Sequence, residues 1–279
     1  MNFTFGADVE FFLRDKTQYR SAFRVLKGTK EEPEILNCKA GLHWDNVAAE
    51  FASVVSSSED EFFEAITAPI KEITEKVKPL KLIPASSANF PPGELTNMEE
   101  CEFGCEPDFD AWELKMNQAP VPPNEELRSC GGHIHIGYVK GAPKELLDPY
   151  GKVAIVKLLD VFLGVPFVIL DPAIERRKLY GRAGCHRPTG YGVEYRTLSN
   201  YWTRSEQTIR LVYKLAKETL KSLSRSEEII SAAGGKEKIV SCINEGNIGN
   251  AKEITSKVIV PSVEAETREC LLDTLKGKA

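Results

Sequence analysis

Three pairs of polar side chains recur at a spacing of two within otherwise apolar, β-branched or aromatic stretches: Asp8/Glu10, His133/His135 and Glu194/Arg196. Successive side chains of a strand point to opposite faces, so the members of each pair share one face. Val9 and Phe11, Ile134 and Ile136, and Val193, Tyr195 and Thr197 fall on the other face. Two carboxylates on one strand face stand about 7 Å apart and repel each other unless a cation or water lies between them. The histidine pair sits in Cys130-Gly131-Gly132-His133-Ile134-His135-Ile136-Gly137, where the glycines let another backbone or a ligand come close. Any one pair reads equally well as a solvated sheet face or a satisfied polar network. The repetition points to chemistry.

Asp45 and Glu50, acids in the mostly apolar stretch 41–51, enlarge the set to five carboxylates, two imidazoles and Arg196. If these strands share one sheet, its polar face is a concave site that no apolar core would tolerate. Clustered carboxylates must protonate or coordinate cations. Oxygen-dominated ligation with one imidazole suits Mg²⁺ or Mn²⁺ better than zinc. Arg182 and Arg187 lie in a glycine-containing stretch, Gly181 to Gly184 and beyond, able to wrap an anion. Two hard cations with converging arginines make a phosphate site, where arginine takes the charge that develops in phosphoryl transfer.

These strands must be held by the rest of the chain. Residues 5–13 read as a strand and 14–39 as a hairpin. Ser58-Glu59-Asp60-Glu61 is a capping box opening a helix with the stripe Phe62, Ile66, Ile70, Ile73 and Val77, kinked at Pro69. The proline-rich stretch 84–129 reads as a long loop and candidate lid. A buried helix is expected around 153–163. From Thr203 the chain reads as helical, with a capping box over Thr203 to Glu206, a stripe Ile209, Val212, Leu215 and Leu220, a stop at Gly234-Gly235, and two or three shorter helices to Leu275. The expected organisation is a sheet domain over 1–203 and a helical part over 204–279 packed on it.

The net charge of −5 leaves no electrostatic footprint for nucleic acid. The most apolar window, 153–174, carries Lys157, Asp160, Gly164 and Pro166 and reads as a buried helix rather than a membrane span. Met1 leads into Phe3-Thr4-Phe5-Gly6 without the pattern of a signal peptide. Seven cysteines with no CxxC pair read as reduced thiols of a cytoplasmic protein, and Cys101-x3-Cys105 is a weak zinc candidate. The sequence has no Walker A loop, so a nucleotide must be held in some other way.

The order Gly-x-Asp-x-Glu, an acid after a further strand, Gly-x-His-x-His and a late Glu-x-Arg resembles the glutamine synthetase and glutamate-cysteine ligase superfamily. Phe103-Gly104-Cys105-Glu106-Pro107-Asp108, Gly131-Gly132-His133-Ile134-His135-Ile136-Gly137 and Gly192-Val193-Glu194-Tyr195-Arg196 look closer still to the tailed-phage COOH-NH2 ligase type 2 family of amidoligases. The resemblance covers about residues 3–203. It implies an α+β fold: a curved, mainly antiparallel sheet with the site on its concave face and helices packed behind. It implies ATP and Mg²⁺ (or Mn²⁺) as cofactors, and an amide bond formed through an acyl phosphate.

By position, Asp8, His133 and Glu194 would hold the cation nearer the nucleotide phosphates. Glu10 and Glu50, with Asp45, would hold the one nearer the acyl acceptor. His135 would approach phosphate or substrate. Arg196 would bind the γ-phosphate, with Arg182 and Arg187 around phosphate or a substrate carboxylate. Asp8 stands where the larger relatives more often have glutamate, which implies a longer or water-mediated contact. The partners implied are small-molecule or peptide carboxylate and amine substrates, with no nucleic acid and no membrane, in a host cytoplasm if the chain is of phage origin. Relatives of this architecture range from monomers to rings. The rival readings are a Mg²⁺- or Mn²⁺-dependent hydrolase without ATP and a non-catalytic binding protein that keeps the sheet.

Overall fold

A computed structural model describes residues 2–101, 108–171 and 173–277. Its strands are β1 (Thr4–Arg14), β2 (Tyr19–Arg20), β3 (Glu34–Ile35), β4 (Gly41–Asp45), β5 (Ala48–Ala52), β6 (Lys81–Ile83), β7 (Ser87–Asn89), β8 (Phe109–Asp110), β9 (Lys115–Met116), β10 (Leu127–Ser129), β11 (Gly132–Gly137), β12 (Cys185–Pro188) and β13 (Gly192–Tyr195). Eleven form one open sheet in the order β3-β4-β5-β1-β11-β13-β12-β8-β9, with β2 and β6 pairing the far end of β1, and β7 pairs β10 apart from it. Every pairing is antiparallel. β1 is the spine, flanked by β5 on one side and β11 on the other, so strands far apart in sequence become neighbours.

One face of the spine is apolar. Phe5, Ala7, Val9, Phe11 and Leu13 are all at most 2% exposed and join Ile134, Ile136, Val193 and Tyr195 in one core. Two helices close over that face: α1 (Glu59–Lys76) and, after the short α2 (Met98–Cys101), α3 (Pro149–Leu159), α4 (Val165–Leu170) and α5 (Glu175–Leu179), the long α6 (Glu206–Lys221). Phe5 meets Phe62 of α1 at 4.6 Å and Tyr213 of α6 at 5.4 Å between ring centroids. The apolar run Pro149–Leu170 is long enough to cross a membrane, but most of it is buried inside the protein, as a core helix is.

The expected stripe of α1 is confirmed, with Ser58 capping it and Pro69 accommodated in a continuous helix. Residues 14–39 do not form one hairpin: β2 pairs back onto β1, whereas β3 pairs with β4, because each short strand completes a neighbour's edge. The cap of α6 is Ser205, reciprocated by Thr208, two residues later than expected, since Asn200–Arg204 is a separate 3₁₀ turn. That helix ends at Lys221. Gly234 and Gly235, both at positive φ, instead separate α7 (Ser226–Ala232) from α8 (Gly235–Asn244). Helices α9 (Ile248–Ile254), α10 (Val260–Ser262) and α11 (Ala265–Gly277) follow.

The stretch 84–129 is not structureless. Glu94 accepts from Ser21 N at 2.8 Å, and the fully buried Glu100 takes Arg24 Nε at 2.6 Å, so the first part is fastened to the segment after β2. All of the motif over 103–108 except Asp108, and with it Cys105 of the zinc candidate, lies outside the described residues.

Candidate active site

The polar face of the sheet collects the three expected pairs on adjacent strands. Asp8 stands opposite His133 across β1 and β11, His135 opposite Glu194 across β11 and β13, and Glu10 opposite Glu50 across β1 and β5. The two-residue turn Asn46–Val47 between β4 and β5, with Asn46 at positive φ, brings Asp45 round to the same side. Two donor sets result: Asp8, His135 and Glu194 offer ligand atoms within 4.8 Å of one another, and so do Glu10, Asp45 and Glu50.

His135, expected nearer phosphate or substrate, falls in one donor set with Asp8 and Glu194, while His133 Nδ1 lies 3.4 Å from Glu194 Oε1. Nε2 of His135 reaches diagonally to Asp8 Oδ2 at 3.0 Å, and its Nδ1 lies 2.6 Å from Tyr191 Oη. His133, 5% exposed, is wedged between two guanidinium groups: Nδ1 is 3.3 Å from Arg196 Nη1, and Nε2 is 3.5 Å from Arg176 Nη2. A neutral imidazole has a single in-plane lone pair, and either guanidinium can claim it ahead of a metal. Gly131 makes room for the wedge, since a Cβ there would come 2.3 Å from His133 Nε2. Burial, reinforced by Arg196 and Arg176, holds His133 well below the usual histidine range, so it is neutral.

The second donor set is electrostatically strained without a counter-charge. Burial and the neighbouring Glu50 and Asp45 carboxylates push Glu10 up to about 8, although Gly131 N donates to its Oε2 at 2.7 Å. Burial and Glu50 push Asp45 up to about 6. Carboxylates that can neither separate nor shed their repulsion take up protons or a cation. Three oxygen donors at this spacing fit a hard divalent ion such as Mg²⁺ or Mn²⁺. His43, 7% exposed, lies with Nε2 3.2 Å from Glu50 Oε2, and its Nδ1 finds no hydrogen-bond partner among the described residues. In the first set, burial alone would raise Asp8, but the contact with His135 outweighs it and Asp8 is lowered.

Two arginines converge on Glu194. Arg196 pairs with Glu194 Oε1 through Nη1, with its Nε 3.4 Å from Asp108 Oδ2, and Arg187 Nη1 lies 3.2 Å from Glu194 Oε2. Arg187 is not in a loop: it lies on β12, opposite Glu194. Arg182 is apart, exposed, with Nη2 donating to Lys178 O at 3.2 Å, and it borders a cleft lined also by Asp108, Asn117, Tyr180 and Cys185. Arg176, His43 and Tyr191 belong to the same face, and Asp108, the last residue of the motif over 103–108, joins it through Arg196. Arg176 is 2% exposed and donates through Nη1 to Thr197 O at 2.9 Å and through Nη2 to Arg196 O at 3.0 Å, shoring up the β13 exit. His43 shares a strand face with Asp45 at the same two-residue spacing, a signal that was present. Tyr191, in the turn before β13, gave none.

No curated protein matches the chain. Residues 122–233, which contain β11, β12, β13 and all of His133, His135, Arg182, Arg187, Glu194 and Arg196, match the family model of phage phiEco32-like COOH.NH2 ligase-type 2, the carboxylate–amine ligase family that the motifs resemble.

Proposed function

We propose that the protein is an ATP- and Mg²⁺-dependent carboxylate–amine ligase that joins a small-molecule or peptide carboxylate to an amine through an acyl phosphate, with Mn²⁺ able to replace Mg²⁺. The observation that carries this reading is the pair of cation-sized donor sets on one sheet face with Arg187 and Arg196 closing on the Glu194 they share. Glu10, Asp45 and Glu50 would hold one divalent ion and Asp8, His135 and Glu194 the other. Such ions offset phosphate charge and polarise the phosphoryl oxygen. In the first step a carboxylate oxygen bonds to the γ-phosphorus as the bond to ADP breaks. In the second the amine nitrogen bonds to the carbonyl carbon, loses a proton, and phosphate leaves.

Arg196 and Arg187, which pair with Glu194, would take the charge that develops on the transferring phosphoryl group. His133, held neutral between Arg176 and Arg196, keeps the Arg196 fork in place. Arg182 borders a cleft that would admit a substrate carboxylate. Cytoplasmic action accords with this cofactor choice.

The test is ADP release with Mg²⁺ present, screened over pools of amino acids and polyamines. Glu194→Gln keeps shape and removes the shared charge, and should abolish ATP consumption in a folded protein. Arg196→Lys keeps charge but loses the planar fork, and should slow turnover about 10²-fold, the scale of losing one transition-state donor. Parental rates in both folded variants would refute the assignment.

A further inference from the structure

His135 has both ring nitrogens engaged, and the two contacts are chemically different. Nε2 faces Asp8 Oδ2 at 3.0 Å within the donor set, whereas Nδ1 faces Tyr191 Oη at 2.6 Å on its outer side. An imidazole can give a lone pair to a cation through Nε2 only if the proton of the neutral ring sits on Nδ1. A phenol hydroxyl both donates and accepts, so Tyr191 Oη can accept that Nδ1–H. An aromatic ring at this place also stacks obliquely on the imidazole, with centroids 6.1 Å apart. The β12–β13 turn, Thr189–Gly192, which carries Tyr191, is closed by Thr189 N donating to Gly192 O at 3.0 Å and is joined to the end of β11 by Tyr138 N donating to Tyr191 O at 2.7 Å. Tyr191 itself is half exposed and supports no core.

We infer that Tyr191 is a positioning residue for the first cation site, holding His135 as the Nδ1–H tautomer so that Nε2 points a lone pair between Asp8 and Glu194. The inference rests on the reading of Asp8, His135 and Glu194 as a cation site. Outer partners of ligating histidines typically contribute 10–100-fold in metal affinity, and exposure of Tyr191 to water places it at the lower end. Tyr191→Phe, which keeps the ring and removes the hydroxyl, should therefore weaken binding about 10-fold.

The experiment uses the full chain, Mn²⁺ as the probe for calorimetric affinity and Zn²⁺ as a diamagnetic probe for ¹⁵N spectra of its four histidines. The expected result has two parts: His135 carries its proton on Nδ1 when loaded, and Tyr191→Phe binds Mn²⁺ about 10-fold more weakly while His135 samples both tautomers. Unchanged affinity and an unchanged His135 spectrum in Tyr191→Phe, with the parent binding normally, overturn the role of Tyr191 and leave the cation site standing. A parent chain that takes up neither ion, or whose His135 signals do not move on loading, overturns the cation-site reading itself.

Discussion

Glu10 and Asp45 carry the clearest signature of a site waiting for charge. Unfolded, they titrate near 4.3 and 3.9; folded, burial and repulsion from Glu50 raise them to about 8 and about 6. Between those limits the native state holds more protons than the unfolded one, so stability is lost as pH rises from about 4 to about 8. Asp160, raised by burial to about 7, acts in the same direction, while the lowered His133 opposes it near neutrality. In chelator, the melting temperature should therefore fall between pH 5 and pH 8. Glu10→Gln should flatten that slope, and Mg²⁺ should cancel much of it in the parent. Parallel slopes for parent and variant would place the strain elsewhere. The same-face pairing of these acids was legible because strand periodicity is rigid. How the two histidines divide those carboxylates was not, because it turns on a diagonal reach across β1 and β11 and on two guanidinium groups, one of them from a helix 43 residues downstream of His133.

At the scale of elements, the site strands are braced from behind by one buried acid. Asp160 begins a π-helical turn at the end of α3, Asp160–Gly164. Its Oδ2 accepts Trp112 Nε1 and Gly184 N, both at 2.6 Å, and its Oδ1 accepts Tyr195 Oη at 2.8 Å. It therefore ties the β8–β9 hairpin, the entry to β12 and the β13 residue between Glu194 and Arg196 to one helix. Asp160→Ala removes the acceptor of two buried N–H donors and of the Tyr195 hydroxyl. Leaving them unsatisfied should cost about 2–4 kcal/mol, read as a lower urea midpoint with an unchanged slope. A variant as stable as the parent would show that the network is dispensable. Sequence alone marked the helix as buried but treated Asp160 only as an interruption, since nothing local says that Trp112 and Tyr195 converge on it. The caps and glycines of the C-terminal part were misplaced by a few residues for a related reason: Thr203 and Ser205 both offer a hydroxyl, and the 3₁₀ turn that decides between them rests on packing, including the fully buried Trp202.

The whole molecule draws its site from the ends and the middle of the chain at once. Asp8 comes from the first strand, His135 from residue 135 and Glu194 from the last strand, and the order β5-β1-β11-β13 makes them neighbours. The apolar side is equally non-local, because one core runs from Phe3 through Trp202 to Leu271. A cation held by those three side chains would add a further bridge between strands already joined by backbone ladders, by side-chain contacts such as His135–Asp8 and by that core, and it would bind the folded chain but not the unfolded one. Binding at about 100 times the dissociation constant then adds roughly 2.7 kcal/mol. For a protein of this size that corresponds to about 5 °C or more in melting temperature. Mn²⁺ should produce such a rise in the parent. Asp8→Asn, which keeps the hydrogen bond to His135 and removes one ligand charge, should lose a large share of it without a matching fall in the cation-free melting temperature. The contrast matters because Asp8 is partly exposed and lies on the polar face, so a purely structural role would move the cation-free value instead. Equal Mn²⁺-induced rises in parent and Asp8→Asn would mean that the ion binds elsewhere, and that the three strands meet at this face for reasons other than metal.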